Sequence, residues 1–401
     1  MKRWKLWAPG AMILFAVILN ITGRVWEGFS DFYVKHIFPL WVETYGRFTG
    51  IFPFSVGEWM LYLAVLLVLL LAAGGLLFGV LKTGQKAGRK KEQRSSEQCS
   101  SEQNSFCRKF ERWYRRYAFF CYWVTGIFSV VMMLNCFLLY QVSPFPVRFG
   151  LGSSPDKEYG EEEIAALRDY VVENSNALFP VFERDEQGYI FCDETTVRDM
   201  KETARTQMKR LGESYEVLSG YYPRPKGLAV SGFYSQQYIM GYYFPFSMEA
   251  NYNPQMYVTN MPVTMCHELS HLKGFLLEDE ANFIGYLACV DAPDDLFRYS
   301  AYLSVIGYLD RDFLAAIGKD EEIYFSHPQI DSQVWADKKF LTEEAWEQVE
   351  DKAVISTETV KKAADAFLDT NLTLNGVADG TVSYSRVVKL LLQYYDGILY
   401  K

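Results

Sequence analysis

The sequence predicts three amino-terminal transmembrane helices, followed by a mostly α-helical α+β domain with a short β-sheet just before a helix that carries an H-E-x-x-H motif. Three observations support this fold class. Long, strongly apolar and uncharged stretches occur only near the amino terminus, most of the remainder has helical apolar spacing, and one short block there is rich in Val, Tyr, Phe and Ile. We therefore expect a membrane anchor over residues 1–148 and a second domain over residues 149–401.

Three uncharged apolar stretches are each long enough to cross a bilayer, which takes about 20 residues. They predict spans at about residues 6–23, 59–81 and 118–141. The first is the least apolar, because Asn20 and Thr22 dilute it, and a signal peptide or signal anchor is the competing interpretation. No small-residue cleavage site follows this stretch, so we interpret it as a span.

The distribution of basic residues predicts the orientation of these spans. Lys2, Arg3 and Lys5 precede the first span, and residues 82–116, between the second and third, carry 11 basic and 4 acidic side chains. The positive-inside rule places the amino terminus and this basic loop in the cytoplasm, and residues 149–401 outside it. We therefore expect a multi-pass protein of the cell membrane, with the lipid bilayer as one partner.

The loop between the first two spans, residues 24–58, is rich in Trp, Tyr and Phe. Such residues favour the headgroup level of a bilayer, so we expect this loop at the interface or covering the membrane-facing side of the second domain. His36 lies in this loop without a neighbouring ligand set. It is expected to be an interfacial side chain rather than a metal ligand.

The second domain is acidic and predicted to be mostly helical. Residues 150–401 carry 22 basic and 41 acidic side chains, so phosphate backbones would be repelled and we expect no nucleic-acid partner. Val, Tyr, Phe and Ile are enriched at Gly227–Phe233 and Gln237–Phe246, which predicts the short sheet. Apolar residues at helical spacing predict helices at Glu161–Asn176, Thr195–Leu218, Asp295–Ile317, Thr357–Leu368 and Tyr384–Tyr395.

His267, Glu268 and His271 form the H-E-x-x-H motif and use two of the four histidines in the chain. On a helix, this spacing places both imidazoles on one face, about one turn apart, where they can bind one zinc ion. Pro262 before the motif and Gly274 after it predict the two ends of that helix. We expect Zn²⁺ as cofactor and Glu268 as general base for a zinc-bound water. The competing interpretation is a surface helix with two incidental histidines.

Three consecutive acids, residues 278–280, follow the motif and compete to supply the third zinc ligand. On a helix, Glu278 would share a face with small residues, whereas Glu280 would share one with large apolar residues. Because a small face allows close approach to the motif helix, Glu278 is the favoured ligand. Asn282, one turn further on, is expected to orient a histidine or the Glu278 carboxylate. Alternatively, these acids only stabilise a helix N-terminus.

At these residues the chain resembles the gluzincin metallopeptidases, in which H-E-x-x-H is completed by a glutamate at the start of a second helix. Glu278 matches that glutamate, and Asn282 stands where those families usually carry aspartate. A wider resemblance, carried by YYFPFSMEANYN, HELSHLKGFLLEDEANF and SYSRVVKLLLQYY, is to the bacterial membrane proteins grouped as domain of unknown function 3810. That resemblance implies a zincin-like domain but gives no substrate.

These resemblances imply a zinc metallopeptidase whose substrate is a peptide or protein. In such enzymes, a strand edge before the metal helix binds extended substrate, and residues 243–251 would provide that edge unless they only pack in the core. Tyr384 and Arg386, in the third matching segment, are candidates for stabilising the oxyanion, with an ordinary helix-surface pair as the alternative.

Two rival functions are considered beside peptide hydrolysis by an extracytoplasmic domain. An intramembrane protease is disfavoured, because the motif segment is too polar and short to span a bilayer. The second rival is a membrane sensor or assembly protein whose zinc site is structural or catalytically inactive. Glu268 argues against that rival, because a structural site has no need of the carboxylate.

The remaining histidine and the cysteines give weaker signals. His327 precedes a proline in a loop-like stretch and is expected to be a surface or turn residue. Cys266 and Cys289 fall on the two helices of the predicted site, where buried thiols are expected and a disulfide is the alternative.

Overall fold

A computed structural model describes residues 4–92, 101–143, 145–149, 157–374 and 383–400. The chain divides into two compact units. The apolar unit comprises Met1–Thr22 and Gly57–Leu134, and the site unit comprises Gly23–Val56 and Asn135–Lys401. The loop between the first two predicted spans therefore groups with the carboxy-terminal residues rather than with the anchor.

Seven helices occur in the described part of the first 149 residues. They are α1 (Trp4–Val25), α2 (Phe29–His36), α3 (Phe38–Trp41), α4 (Arg47–Thr49), α5 (Val56–Glu92), α6 (Ser101–Asn135) and α7 (Phe145–Phe149). A π-helical turn at Val42–Gly46 joins α3 to α4, and a 3-10 turn at Phe137–Gln141 follows α6.

Three of these helices contain segments that are long and apolar enough to cross a membrane. The segments are Trp4–Val25, Val56–Gly84 and Ser105–Gln141, and they overlap the three predicted spans. Both α5 and α6 also continue as helix into the predicted basic loop, because Lys, Arg, Gln, Ala and Glu are good helix formers.

The site unit is mostly helical after residue 157. Its helices there are α8 (Glu161–Leu178), α9 (Glu194–Ser214), α10 (Ser231–Gln236), α11 (Met261–His271), α12 (Glu278–Val290), α13 (Asp295–Ala316), α14 (Glu321–Ser326), α15 (Ser332–Asp337), α16 (Glu343–Asp351), α17 (Thr357–Leu374) and α18 (Ser383–Tyr395). The five predicted helices correspond to α8, α9, α13, α17 and α18. The carboxylates of Asp193, Asp294 and Asp320 accept backbone N–H groups at the starts of α9, α13 and α14, which fixes those ends.

A short sheet precedes α11, as predicted. Within the described residues it contains β1 (Lys226–Gly227), β2 (Gly241–Phe244) and β3 (Glu249–Tyr252), in the order β1-β3-β2. Strand β1 runs parallel to β3, and β2 runs antiparallel to it. The strand predicted at Gly227–Phe233 is wrong beyond its first residue. Gly227 pairs with the last residue of β3, so the following residues have no strand to pair with and instead lead into α10.

Helix α11 lies inside the site unit and packs against α9, α12, α13, β2 and β3. Its Met265, Cys266 and Leu269 side chains are fully buried. The motif helix is therefore held by neighbours on several sides.

Candidate metal centre

Pro262 and Gly274 explain why the motif helix begins and ends where it does. Pro262 occupies the first turn of α11, where its missing N–H leaves no hydrogen bond unmade. Gly274 follows the helix with a φ of 83°, a left-handed conformation that favours glycine, and its N–H bonds to the His271 carbonyl at 3.0 Å. This turn directs the Phe275 carbonyl back towards the imidazole of His271.

The two imidazoles stand next to each other with complementary hydrogen bonds. Their ring centroids are 4.8 Å apart and their planes are nearly perpendicular. His267 Nδ1 lies 2.9 Å from Asn282 Oδ1, and His271 Nδ1 lies 2.6 Å from the Phe275 carbonyl oxygen. Because both partners are oxygens, we assign a proton to each Nδ1. In the neutral tautomers, both Nε2 atoms then carry the lone pair that a zinc ion takes.

Glu278 is brought to the motif by α12. It is the first residue of that helix, and its Oε2 lies 3.1 Å from His267 Nε2. Its side chain is 58% exposed, so solvent reaches this side of the cluster. Glu280 is instead buried near Arg148, and the backbone N–H of Phe145 bonds to its carboxylate. The contact with the imidazole is thus made by Glu278.

Small residues allow α12 to approach α11 closely. A Cβ atom at Gly285 would lie 3.0 Å from the Val263 carbonyl oxygen and 3.3 Å from the backbone nitrogen of His267. Further along, Cys266 Sγ and Cys289 Sγ are 3.7 Å apart as buried free thiols. This close packing of the two helices brings their polar residues to the imidazoles.

Glu268 is buried in the middle of the cluster. Its Oε1 is 4.0 Å from His267 Nε2, and its Oε2 is 3.9 Å from His271 Nε2. Among the described residues, Oε2 has no hydrogen-bond partner. Burial raises the pKa of Glu268, the charge of His267 lowers it and that of Glu278 raises it, with the result that the pKa is about 8. Such a carboxyl can exchange a proton near neutral pH.

The edge strand β2 passes directly beside this carboxylate. A Cβ atom at Gly241 would collide with the Glu268 side chain, so only glycine fits there without moving it. Tyr243, two residues along the strand, places its ring centroid 5.8 Å from that of His271 and donates its hydroxyl to the Asn135 carbonyl at 3.1 Å. The strand therefore forms one wall of the cluster.

The charges in the cluster depend on one another. Burial lowers the pKa of His267, but the hydrogen bond and charge of Glu278, together with the charge of Glu268, raise it to about 9. Burial and the His267 charge lower the pKa of His271 to about 4. Desolvation raises the pKa of Glu278, but His267 outweighs this and lowers it to about 2. Because metal ligands must be deprotonated, a proton and a metal ion compete for His267.

The chemistry of these groups fits zinc. His267, Glu268 and His271 offer ligand atoms that lie within 4.8 Å of one another, and Glu278 adds a carboxylate next to His267. Two imidazoles and one carboxylate are the protein ligands of many hydrolytic zinc sites, in which the fourth position stays open. If His267, His271 and Glu278 held the ion, Glu268 would not be needed as a ligand.

A sequence model of one protein family, described as "Protein of unknown function (DUF3810)", matches residues 33–392. The matched range includes the whole motif cluster. The chain belongs to the DUF3810 family. No curated protein and no solved structure gave a significant match.

The other predicted site residues of this DUF3810 protein lie in α18. Arg386 is 3.9 Å from Asp279 Oδ2, so it pairs with the first turn of α12. The side chain of Tyr384 lies outside the described residues. Arg386 therefore contacts Asp279, the residue next to Glu278, and no described contact links it to the imidazoles.

Three features of the cluster were not found from the sequence. The Phe275 carbonyl is a backbone atom, and the close approach of Gly241 depends on the path of β2. Tyr242, beside Gly241, is the third: burial raises the pKa of its hydroxyl, and the charge of Glu268 contributes to the shift. The only sequence signal was the position of this aromatic segment shortly before the motif.

The other two histidines lie apart from the motif. His36 is exposed and stacks near Phe32, with ring centroids 4.8 Å apart. His327 Nδ1 lies 2.6 Å from Asp169 Oδ2 in the turn after α14. Neither belongs to the metal-binding group found among the described residues.

Proposed function

We propose that this protein is a membrane-anchored zinc metallopeptidase that hydrolyses peptide bonds. One observation carries the proposal: the Nδ1 atoms of His267 and His271 both face oxygen acceptors, while the buried Oε2 of Glu268 has no hydrogen-bond partner among the described residues. A structural zinc site needs oriented imidazoles but no unpaired carboxylate beside them. Two buried carboxyls of the described residues, Glu268 and Glu280, each have an unpaired oxygen, and we assign the chemical role to Glu268 because it lies 4.0 and 3.9 Å from the two imidazoles.

In this proposal, His267, His271 and Glu278 hold the ion. When bound, zinc supplies a Lewis acid that polarises a carbonyl and lowers the pKa of water. Glu268 accepts the proton of the attacking water and later delivers it to the leaving amine. Asn282 and the Phe275 carbonyl hold the two imidazoles in orientation, as outer partners of zinc ligands usually do.

An extended peptide would bind along β2. The strand order leaves β2 at an edge of the sheet, and Gly241 on this strand lies against Glu268. Adding a substrate strand there would place its backbone beside the general base. The edge first expected at residues 243–251 needs correction, because Glu249–Tyr252 form the central strand.

The proposed location is the cell membrane. Three helices have the length and composition to cross a bilayer. By the positive-inside rule, the amino terminus and residues 82–116 would face the cytoplasm, and the metal centre would lie outside it. The partners are then the lipid bilayer and a peptide or protein substrate.

The test uses the purified full-length chain in detergent. Bound zinc and hydrolysis of a peptide library are measured for the wild type, Glu268→Gln, Glu278→Gln and Glu280→Gln. We expect Glu268→Gln to keep zinc and to lose about a hundredfold to ten-thousandfold in rate, the usual contribution of a general base. Glu280→Gln makes the same chemical change at another buried carboxyl of the site unit and is expected to keep both properties.

Other outcomes would contradict the proposal. Zinc bound without cleavage by any variant would favour the sensor or assembly function, with a structural or inactive site. Absence of zinc from the wild type would overturn both functions. Loss of zinc in Glu280→Gln but not in Glu278→Gln would make Glu280 the third ligand.

A further inference from the structure

The segment Gly23–Val56, here called the linking segment, has one face built into the site unit. Residues 38–49 run as nearly continuous helix through α3, the π-helical turn and α4. At about 100° per residue, its buried residues repeat every three to four positions along one side. These inward residues, together with those of α2, are Ser30, Tyr33, Phe38, Val42, Gly46 and Thr49.

This inner face contacts the sheet. Thr49 Oγ1 donates to the Ser247 carbonyl at 2.7 Å, and the buried Lys226 donates to the Thr49 carbonyl at 2.8 Å while pairing with Glu249. A Cβ atom at Gly46 would lie 3.3 Å from Met248 Cβ. The linking segment is therefore tied to the ends of β1 and β3.

The inner face also contacts the turn that orients His271. A Cβ atom at Gly274 would lie 2.7 Å from Val34 Cγ1, so α2 rests directly on this turn. The next residue, Phe275, supplies the carbonyl that meets His271 Nδ1. The backbone of the Gly274–Phe275 turn thus lies between α2 and His271, a candidate metal ligand.

The opposite face of the linking segment is also apolar, and it is exposed. Leu40 and Phe48 fall on the side of the helix opposite Phe38 and Val42, and Ile51, just after α4, is 75% exposed. The same helix also carries an exposed Glu43–Arg47 ion pair, so its exposed apolar residues form one face beside a charged one. Further exposed apolar residues of the segment are Trp26, Phe32, Ile37 and Phe54.

We infer that this outer face lies in the membrane interface, with its apolar side chains at the boundary between headgroups and acyl chains. The inference rests on the proposed membrane anchoring. At both ends the linking segment runs directly into a helix that can span a bilayer, since α1 ends at Val25 and α5 begins at Val56. Contiguous exposed apolar surface of this kind marks a contact site, and Trp and Phe are comfortable at headgroup level. Exposed Lys35 can extend its charge towards water.

Lipid photolabelling of the full-length chain in phosphatidylcholine vesicles tests this inference. One probe carries a diazirine near the acyl carbonyl and the other carries it at the chain end, and labelled peptides are identified by mass spectrometry. We expect the shallow probe to label residues 32–54 several-fold more than the deep probe, and both probes to label the three spans. Val354 and Phe325 are matched controls, because they are apolar, more exposed than most of the outer face and outside the linking segment.

The outcomes separate the inference from the membrane proposal. Labelled spans with residues 32–54 no more labelled than Val354 and Phe325 would overturn the inference and leave the anchoring intact. Unlabelled spans would overturn both. A double variant, Phe48→Ser and Ile51→Ser, is expected to lose most of the shallow labelling of its peptide while keeping bound zinc. Unchanged labelling in that variant would show that the outer face does not carry the lipid contact.

Discussion

Two buried carboxylates in the site unit have opposite surroundings. Asp337, at the end of α15, receives both terminal nitrogens of Arg184 at 2.9 and 2.8 Å, and the hydroxyl of Tyr299 at 2.8 Å. The side chains of Gln333 and Tyr257 complete its hydrogen bonds. Glu268 is as deeply buried, but its Oε2 has no such partner among the described residues.

The difference separates a structural role from a chemical one. A buried carboxylate stabilises a fold only when its charge is paired and its oxygens accept hydrogen bonds, as at Asp337. Glu268 instead lies about 4 Å from two imidazole nitrogens. A buried carboxyl oxygen without a hydrogen-bond partner, such as its Oε2, destabilises the folded state. We therefore expect Asp337 to matter for stability and Glu268 for chemistry.

The largest expected effect is on stability at Asp337. Asp337→Asn leaves the guanidinium of Arg184 without its charge partner and should lower the free energy of unfolding by about 3–5 kcal/mol. Denaturant unfolding of the full-length chain measures this loss. Asp365→Asn, which breaks the exposed pair with Lys361, is the control and should leave the free energy of unfolding almost unchanged. Equal losses in the two variants would contradict the structural role of Asp337.

The next largest expected effect is a lower rate of peptide hydrolysis in Gly241→Ala. Gly241→Ala forces the Glu268 side chain to move, and a displacement of about 1 Å can lower a rate about a hundredfold, or about 2.7 kcal/mol. Peptide hydrolysis and bound zinc are measured together, and only hydrolysis should fall. Gly227→Ala is the matched control in the same sheet, where the added Cβ meets Tyr252 Oη at an ordinary 3.5 Å. If the Gly241 variant stays fully active, Glu268 is not held by β2 in the active enzyme.

A smaller effect is expected at Asn282. Asn282→Ala removes the acceptor for His267 Nδ1 and should weaken zinc binding about 10–100-fold, or about 1.4–2.7 kcal/mol. Competition with a chelator of known affinity measures the change. Asn282→Asp keeps an oxygen acceptor and should bind zinc at least as tightly as the wild type. Equal weakening in both variants would mean that the amide acts by packing rather than by orienting the imidazole.

The smallest effect is on stability at Glu268. Glu268→Gln replaces a buried carboxyl whose Oε2 has no hydrogen-bond partner among the described residues, so the zinc-free unfolding free energy should change by less than about 1 kcal/mol. The same denaturant measurement applies. A loss as large as that of Asp337→Asn would identify Glu268 as a structural residue and remove the contrast between the two carboxylates.

The local parts of the candidate site could be predicted from the sequence. Pro262 and Gly274 mark the ends of α11 because their backbone restrictions act within one turn. The small face of α12 indicated which acid would approach His267, since helical geometry fixes which residues share a face. For the same reason, the uncharged stretches predicted α1, α5 and α6, and helical apolar spacing predicted α8, α9, α13, α17 and α18, whereas the shorter helices were not predicted.

The parts that depend on distant residues could not be predicted. Three partners of Asp337 come from distant parts of the chain, and no local pattern links it to Arg184, Tyr257 and Tyr299. The approach of β2 to Glu268 depends on the order of the strands, which short strands of two to four residues do not reveal. For the linking segment the sequence left two positions open, the interface and the membrane-facing side of the second domain, because its apolar residues occur on more than one side of the helix.

The most direct test of the central claim is zinc K-edge X-ray absorption on the purified full-length protein. A site formed by His267, His271 and Glu278 predicts only nitrogen and oxygen neighbours, at about 2.0–2.2 Å, with the signature of two imidazoles. Glu278→Gln should change this spectrum, and Glu280→Gln should not. Sulfur neighbours at about 2.3 Å would contradict the account, because zinc would then be held by cysteines in a different and structural site.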